Sequence, residues 1–397
     1  MRSFSLIGEI VQMGGRERLL TAFFFLLIAL MAGPIQAEET VQKPSIKDMA
    51  AVVADGTRSD RERLNAARLL AESQDRDSLT PIFKVIGDNR EKGILRAAMV
   101  RALDKSSQRH AVVPFLNGLL SKKEDIPEVR AAVAFTLGSL GDPSSKPLLL
   151  KNISDPHPDV RQAARSALLS IGGEGIDRVG LLIDTLKDRS QSRAIMAMAA
   201  LQLGQLKDER SLWPLIEVLK EKVNEPNLGA PKDFKGFIEA RRHAKENVQA
   251  TAARALGQLG KNESIPVLLK FTCASDAELR IAVFEALATL KANEAVPAAR
   301  KAIGSDSNHR VRRWAGVLLR EVDSREALPE LRKALSDPDP GVRLQAALSI
   351  GKMKDKEALK NLEDALSKET YKDVREAIEN AIRIISGLRG RQAQNDA

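Results

Sequence analysis

A motif of turn, apolar residue, arginine and small-residue helix recurs along this chain and constrains its fold more than any other feature. One copy runs from Ser336 to Met353 (SDPDPGVRLQAALSIGKM), and another begins at Ser154 (SDPHPDVRQAARSALLSI). The aligned arginines are Arg63, Arg96, Arg130, Arg161, Arg280, Arg312, Arg343 and Arg375, and Met196 and Gln249 take the two places between Arg161 and Arg280. Apart from one interval of 53 residues, neighbouring copies lie 31 to 35 residues apart. A fixed period in this range is typical of stacked helical repeats.

Each copy has the same helical register after the arginine. If the residue before the arginine is position zero, position eight is Leu or Ile in all ten copies, and position four is a small or aliphatic residue. Positions zero, four, eight and eleven lie on one face of a helix, so each copy carries a narrow apolar stripe. Each repeat also has a first helix with a proline expected near its start: Pro81, Pro114, Pro147, Pro214, Pro266, Pro297 and Pro329. In the turns between the two helices, such as Ser154-Asp155-Pro156 and Ser336-Asp337-Pro338, Asp or Ser is expected to cap the helix that follows.

Composition agrees with an all-α protein and excludes several kinds of site. Aromatic residues make up only 4% of the chain, so aliphatic helices must approach closely. The net charge is +9, but 62 basic residues are interspersed with 53 acidic ones, which argues against nucleic acid as the partner. The single cysteine, Cys273, excludes an internal disulfide, and we expect it to be a buried small side chain in a helix.

The quoted motifs SDPHPDVRQAARSALLSI and SDPDPGVRLQAALSIGKM resemble HEAT-like repeats of the short bacterial type, which also occur in phycobilin lyases. The resemblance covers about residues 46–385 and implies a right-handed α-solenoid of about ten stacked two-helix repeats. It implies that the Val-Arg helices line the concave face. It also implies that the arginines pair with turn acids in a ladder along the solenoid. The expected ladder residues are Arg130, Arg161, Arg280, Arg312, Arg343 and Arg375, with Asp155, Asp306 and Asp337.

Enzymes with a similar fold exist, but their motifs are missing here. The deoxyhypusine hydroxylases, which share this kind of solenoid, hold two irons with repeated His-Glu pairs. None of the four histidines (His110, His157, His243 and His309) is followed by Glu, and no G-x-S-x-G, P-loop, H-E-x-x-H or C-x-x-C motif occurs. We therefore expect no catalytic residues, metal or cofactor.

The N-terminus carries the three zones of a secretory signal. The apolar run Leu19 to Met31 follows Arg16 and Arg18 and precedes a small-residue site that ends at Ala37. We expect residues 1–37 to be a signal peptide, with Met13 as an alternative start, and the protein to be exported to the periplasm or cell envelope. The alternative is an uncleaved anchor in the inner membrane through residues 19–31. Residues 38–385 then form the solenoid, and 386–397 a polar tail.

Two places where the copies differ are candidates for a partner-binding surface. The long interval contains an insertion at 221–246 with Phe234, Phe237, Arg241 and Arg242, which either contact a partner or fold back over the edge of the solenoid. The second place is a basic cluster with Arg310, Arg313 and Trp314, beside Leu344 of the next copy. It is interpreted either as part of the scaffold or as a site for an anion at a helix N-terminus.

The sequence therefore predicts an exported scaffold without catalytic activity that binds a protein or peptide on its concave face. Groove-facing positions two and six, which include Ala197, Ile281 and Leu344, are mixed in character, as suits a protein partner. We expect the C-terminal half to be the binding region. A lyase-like enzyme and a binder of anionic surfaces are the alternatives, and membrane contact is expected only through the N-terminal segment.

Overall fold

The computed structural model describes residues 44–122, 125–221 and 247–387, and within these ranges the chain folds into twenty α-helices joined by turns and short 3₁₀ helices, with no strand. The helices alternate as the first and second member of ten repeats, so the predicted all-α solenoid is confirmed. The first helices are α1 (Ile46–Ala54), α3 (Thr80–Gly87), α5 (Arg109–Ser121), α7 (Lys146–Asn152), α9 (Arg178–Lys187), α11 (Leu212–Lys220), α13 (Ile265–Leu269), α15 (Val296–Ser305), α17 (Leu328–Ala334) and α19 (Leu359–Lys368). The second helices are α2 (Asp60–Glu72), α4 (Gly93–Ala102), α6 (Pro127–Leu140), α8 (Pro158–Ile171), α10 (Arg193–Leu206), α12 (Val248–Leu259), α14 (Ala277–Thr289), α16 (His309–Glu321), α18 (Pro340–Met353) and α20 (Lys372–Ile385).

The second helices pack directly on one another through small residues. A methyl group built on Gly257 of α12 would lie 2.7 Å from the Cα of Ala286 in α14, and Gly138 of α6 is as close to Ala167 in α8. First helices of neighbouring repeats touch each other much less. A stack curves toward its more closely spaced layer, so the second helices line the concave face and the first helices the convex one.

One junction in the stack departs from this packing. Helices α8 and α10 do not pack along each other, and the apolar core divides there into one cluster that reaches Leu181 and another that begins at Val179. The closest pairs of second helices share a contact that is absent here. In those pairs position nine of one helix is glycine and position seven of the next is alanine, but α8 has Leu169 and α10 has Gln202 at these positions.

Polar contacts join the two halves at this junction. Arg161 and Arg165 of α8 each place a guanidinium nitrogen 2.9 Å from Oδ2 of Asp188, which follows α9. The side chain of Gln191 donates to the carbonyl oxygen of Pro158 at 3.0 Å. The hydrogen bond from Arg161 lowers the pKa of Asp188 well below its usual range, against the opposing effect of burial. The carboxylate is therefore ionised at neutral pH and carries the charge that holds both arginines.

Local details of the predicted elements needed correction. Asp155 and Asp337 do not cap helices. They accept hydrogen bonds from the backbone N–H groups of His157 and Asp339, and Asp339 is the residue that caps α18. Pro114 lies inside α5 and not in its first turn.

Three predictions of burial were also wrong. Cys273 is exposed in a turn, because α13 ends at Leu269. Ala197 and Ile281, predicted to face the groove, are buried.

No helix in the described part of the chain has both the length and the apolar character that crossing a membrane requires.

The close glycine contacts lead to a prediction with a matched control. Gly257→Ala should destabilise the fold by about 1–3 kcal/mol, because the added methyl group meets the backbone of α14 and the helices must separate. Gly118→Ala, at an exposed glycine inside α5 with nothing within 4 Å of the new methyl group, should stabilise it by roughly 0.5–1 kcal/mol. Urea unfolding followed by circular dichroism measures both. Equal shifts of the same sign would contradict the packing described.

Concave face as a candidate protein-binding surface

The repeated arginines lie at the turns between first and second helices and are largely withdrawn from solvent. Arg312 donates from Nε and Nη2 to Asp337 at 2.8 and 2.7 Å, and from Nη1 to the carbonyl oxygen of Asp306 at 3.0 Å. Each such arginine thus bridges its own turn and the acid of the next repeat. The same arrangement joins Arg130 to Asp155, Arg161 to Asp188, Arg280 to Asp306 and Arg343 to Glu369. The hydrogen bond from Arg343 lowers the pKa of Glu369 to about 2.

The ladder is longer than the sequence pattern suggested, and it has one gap. Arg63 and Arg96 pair with Glu91 and Asp125, so the first repeats take part as well. The gap falls at the places held by Met196 and Gln249. Gln249 donates only to the carbonyl oxygens of Leu219 and Glu221. Arg375, in the last repeat, donates to the carbonyl oxygens of Leu366 and Glu369.

The residues of the predicted basic cluster already contact other residues of the scaffold. Arg310 lies 2.9 Å from Glu278 of the preceding repeat, and Arg313 lies 2.6 Å from Asp339 of the following one. Trp314 and Leu344 are partly buried and pack against the apolar core. These contacts favour the scaffold interpretation of the cluster over the anion site. Phe234, Phe237, Arg241 and Arg242 lie outside the described residues.

The concave face of repeats 3 to 5 has a different character, which the sequence analysis missed. Positions two, three, six and ten of α6, α8 and α10 carry no charged side chain. Three large apolar side chains are exposed there: Phe135 by 50%, Met198 by 61% and Leu201 by 40%. We call this surface the neutral strip; it consists of Ala131, Phe135, Ser139, Gln162, Ala163, Ser166, Ser170, Met198, Leu201 and Gln205.

The junction between α8 and α10 explains part of this exposure. Met198 and Leu201 lie on one face of α10, together with the exposed Ala194 and Gln205. Since α8 does not pack along α10, this face is left without a helical neighbour on that side. Aromatic residues and methionine are enriched, and charged residues are depleted, at the centre of many protein interfaces.

The neutral strip is bounded by charge on both sides. Toward the N-terminus, the guanidinium of Arg101 lies 5.9 Å from the ring centre of Phe135, within the range of a cation–π contact. Toward the C-terminus, Arg254 of α12 is paired with Glu278 and Glu285. The strip is therefore a distinct uncharged segment of an otherwise charged concave surface.

Other features offer less to a ligand. Among the described residues, no group of three or more His, Cys, Asp and Glu side chains is placed to hold a metal ion. An open cleft of about 460 Å³ lies between repeats 9 and 10. Its Arg343 and Asp337 belong to the ladder, and its Arg332 pairs with Asp355. These charged groups are therefore paired within the scaffold.

Twenty helices in ten repeats, joined by an arginine ladder and open along one concave face, define an α-solenoid of the scaffold type. The HEAT repeats family matches residues 89–169, 113–188, 234–320 and 305–383, which together cover more than half of the chain. The chain therefore belongs to the HEAT repeat family. Among curated proteins none matches the sequence.

Several solved structures share the architecture. Kap121p is 13% identical over 97% of this chain and 49% of its own, with a TM-score of 0.53, so this chain spans about half of Kap121p. An engineered protein is 19% identical over 86% of this chain and 98% of its own, with a TM-score of 0.49. The complex of CpcE and CpcF of phycocyanin lyase from Nostoc sp. PCC7120 is 19% identical over 60% of this chain and 94% of its own, with a TM-score of 0.35. At 13% identity, the likeness to Kap121p concerns the fold.

Proposed function

We propose that this protein is a non-catalytic scaffold that binds a segment of another protein on its concave face, with the neutral strip as the main contact. The observation that carries the proposal is the exposure of Phe135, Met198 and Leu201 on a surface without charged side chains. Burial of such side chains by a partner removes apolar area from water, and aromatic and methionine residues are frequent anchors at interfaces. The partner segment in this proposal therefore carries apolar side chains.

Two further points support a protein partner. The arginines that would attract a polyanion in the C-terminal half are paired with acids, as for Arg310 and Arg313. Kap121p, which shares the fold, has been solved bound to Ste12p and to the extreme C-terminus of the protein phosphatase Cdc14p. A HEAT solenoid of this general shape can thus hold a protein segment. The segment 1–37 supports export, and we propose the periplasm or cell envelope as the place of action, either free or anchored through residues 19–31.

The test is a selection of random sixteen-residue displayed peptides on the immobilised full-length protein, followed by dissociation constants for the selected peptides. Met198→Ser and Leu201→Ser should each weaken binding about tenfold, the loss typical of an interface anchor. Both side chains are exposed, so the variants should fold and melt like the original protein.

Matched controls come from the outer layer of the solenoid. Leu150→Ser in α7 and Trp213→Ser in α11 truncate apolar side chains that are also exposed, by 42% and 63%. They should leave the dissociation constants unchanged. Peptides that bind the concave variants as tightly as the original protein, or that lose affinity only with the outer-layer variants, would rule out the neutral strip as the contact.

A further inference from the structure

Among the described residues that flank the neutral strip, the unpaired arginines stand on its N-terminal side. Arg68 and Arg101 occupy position six of α2 and α4, the position held by Phe135 in α6 and Leu201 in α10. Both are exposed, and in the described ranges no carboxylate lies within ion-pair distance of either. Arg101 instead faces the ring of Phe135.

On the concave face of the C-terminal half, by contrast, basic side chains are paired with acids. Arg254 and Arg313 are both held by acids of neighbouring helices. Glu278 pairs with Arg254 and also with Arg310. The scaffold therefore neutralises its own charge beyond the strip and leaves positive charge uncompensated before it.

The local charge balance supports this contrast. Positions six and ten of repeats 1 and 2 hold three basic side chains, Arg68, Arg101 and Lys105, and one acidic side chain, Glu72. All four are exposed. The net charge of this set, 3 − 1 = +2, is attractive for an acidic segment and repels a basic one.

The position-six side chains also have a regular order in space. Packed helices lie about 8–10 Å apart, and an extended chain advances about 3.3 Å per residue. An extended segment that crosses the packed second helices of repeats 1 to 4 therefore meets a new position-six side chain about every third residue, and Leu201 of α10 follows beyond the junction. Along this line the order is arginine, arginine, phenylalanine, serine and leucine in repeats 1 to 5.

We infer that the partner segment has an acidic end that lies over Arg68 and Arg101 and an apolar end that covers the neutral strip. This inference rests on the proposed function and adds the chemistry and the direction of the bound segment. Acidic residues at one end give charge-assisted contacts with guanidinium groups, and the apolar residues that follow bury Phe135, Met198 and Leu201. A segment bound the other way round would place its acids on the apolar side chains of α10.

The experiment repeats the displayed-peptide selection with Arg68→Glu/Arg101→Glu as a second bait, using the full-length protein in both arms. The original protein should enrich peptides with Asp or Glu on one side of aromatic and aliphatic residues. The charge-reversed bait should enrich Lys or Arg at those places while keeping the apolar residues. Arg325→Glu, at an exposed arginine of repeat 9, is the control for a change of net charge and should select the same peptides as the original protein.

Dissociation constants of a selected acidic–apolar peptide complete the test. Arg68→Ala and Arg101→Ala should each weaken binding about five- to tenfold, and a rise from 50 to 300 mM salt should weaken it further. A peptide of the same composition with its acidic residues dispersed among the apolar ones should bind at least tenfold more weakly. A single-stranded oligonucleotide and vesicles of anionic lipid are tested beside it, and binding of either one tighter than that of the peptide would overturn the inference.

The possible failures are distinguishable. If both baits select apolar peptides with no preference for charge, the inference fails and the proposed function stands. If peptides also bind Met198→Ser and Leu201→Ser unchanged, the proposed function fails as well. A selection that enriches no peptide on any bait counts against both.

Discussion

Replacing Leu287 by Ala should destabilise the C-terminal half of the solenoid by about 2–5 kcal/mol. Leu287 is position eight of α14 and is fully buried. The substitution removes apolar contacts and leaves a cavity that neighbouring helices fill only in part, because α12 and α16 are fixed by their own neighbours. The loss should be confined largely to repeats 5 to 10, since the apolar core divides into two clusters between repeats 4 and 5.

Hydrogen exchange measured by mass spectrometry separates a local effect from a global one. In Leu287→Ala the amides of α12, α14 and α16 should exchange faster, and those of α4 and α6 should keep their protection. The reciprocal variant is Leu137→Ala, at position eight of α6 in the N-terminal cluster, and it should give the opposite pattern. Faster exchange throughout the chain in both variants would mean that the two clusters unfold as one unit.

The repeat pattern was enough to predict the all-α solenoid, because every repeat uses the same positions to face its neighbours. Position eight can be identified from Leu and Ile alone, and fully buried examples such as Leu137 and Leu319 occupy it. The arginines could be aligned in the same way, and the structure places Arg130, Arg280 and Arg312 against Asp155, Asp306 and Asp337. The fold was thus predictable from features that recur.

Features that occur once were harder to predict. At the junction between α8 and α10, Leu169 and Gln202 look ordinary in a helix, and only the structure shows that the closest second helices meet through glycine and alanine at these positions. The neutral strip was missed for a related reason. Its signal was available in the position-six residues, where Phe135 and Leu201 follow two arginines. The basic cluster around Arg310 is more conspicuous in the sequence, and it favoured the C-terminal half as the predicted binding region.

Acid partners of the ladder were only partly predictable. Glu91 and Glu369 reach their arginines with a side chain one methylene longer than aspartate, and neither lies in an Asp-Pro turn. Asp188 pairs with two arginines at the junction where the second helices α8 and α10 do not pack along each other. The ladder therefore has a structural role throughout. At the junction between repeats 4 and 5 it replaces much of the contact that small residues provide elsewhere.

The second large effect that we expect is a loss of stability when one arginine–carboxylate pair of the ladder is disrupted. Arg312→Met should destabilise the protein by about 3 kcal/mol, because the carboxylate of Asp337, only 10% exposed, loses the guanidinium that neutralises it. Replacing both residues, as in Arg312→Met/Asp337→Leu, should cost less than the sum of the single substitutions, because no buried charge is then left without its partner. Urea unfolding of the four proteins of this double-mutant cycle measures the coupling energy.

An exposed pair shows what burial contributes to this rung. Lys187 and Glu217 lie 3.3 Å apart on α9 and α11, with side chains 48% and 61% exposed. The same cycle at this pair should give a coupling of less than about 1 kcal/mol, since water screens both charges and neither is desolvated when its partner is removed. The coupling energy between Arg312 and Asp337 could prove as small as that of the surface pair. The ladder would then position the repeats without stabilising them, and the packing of the second helices alone would hold the stack together.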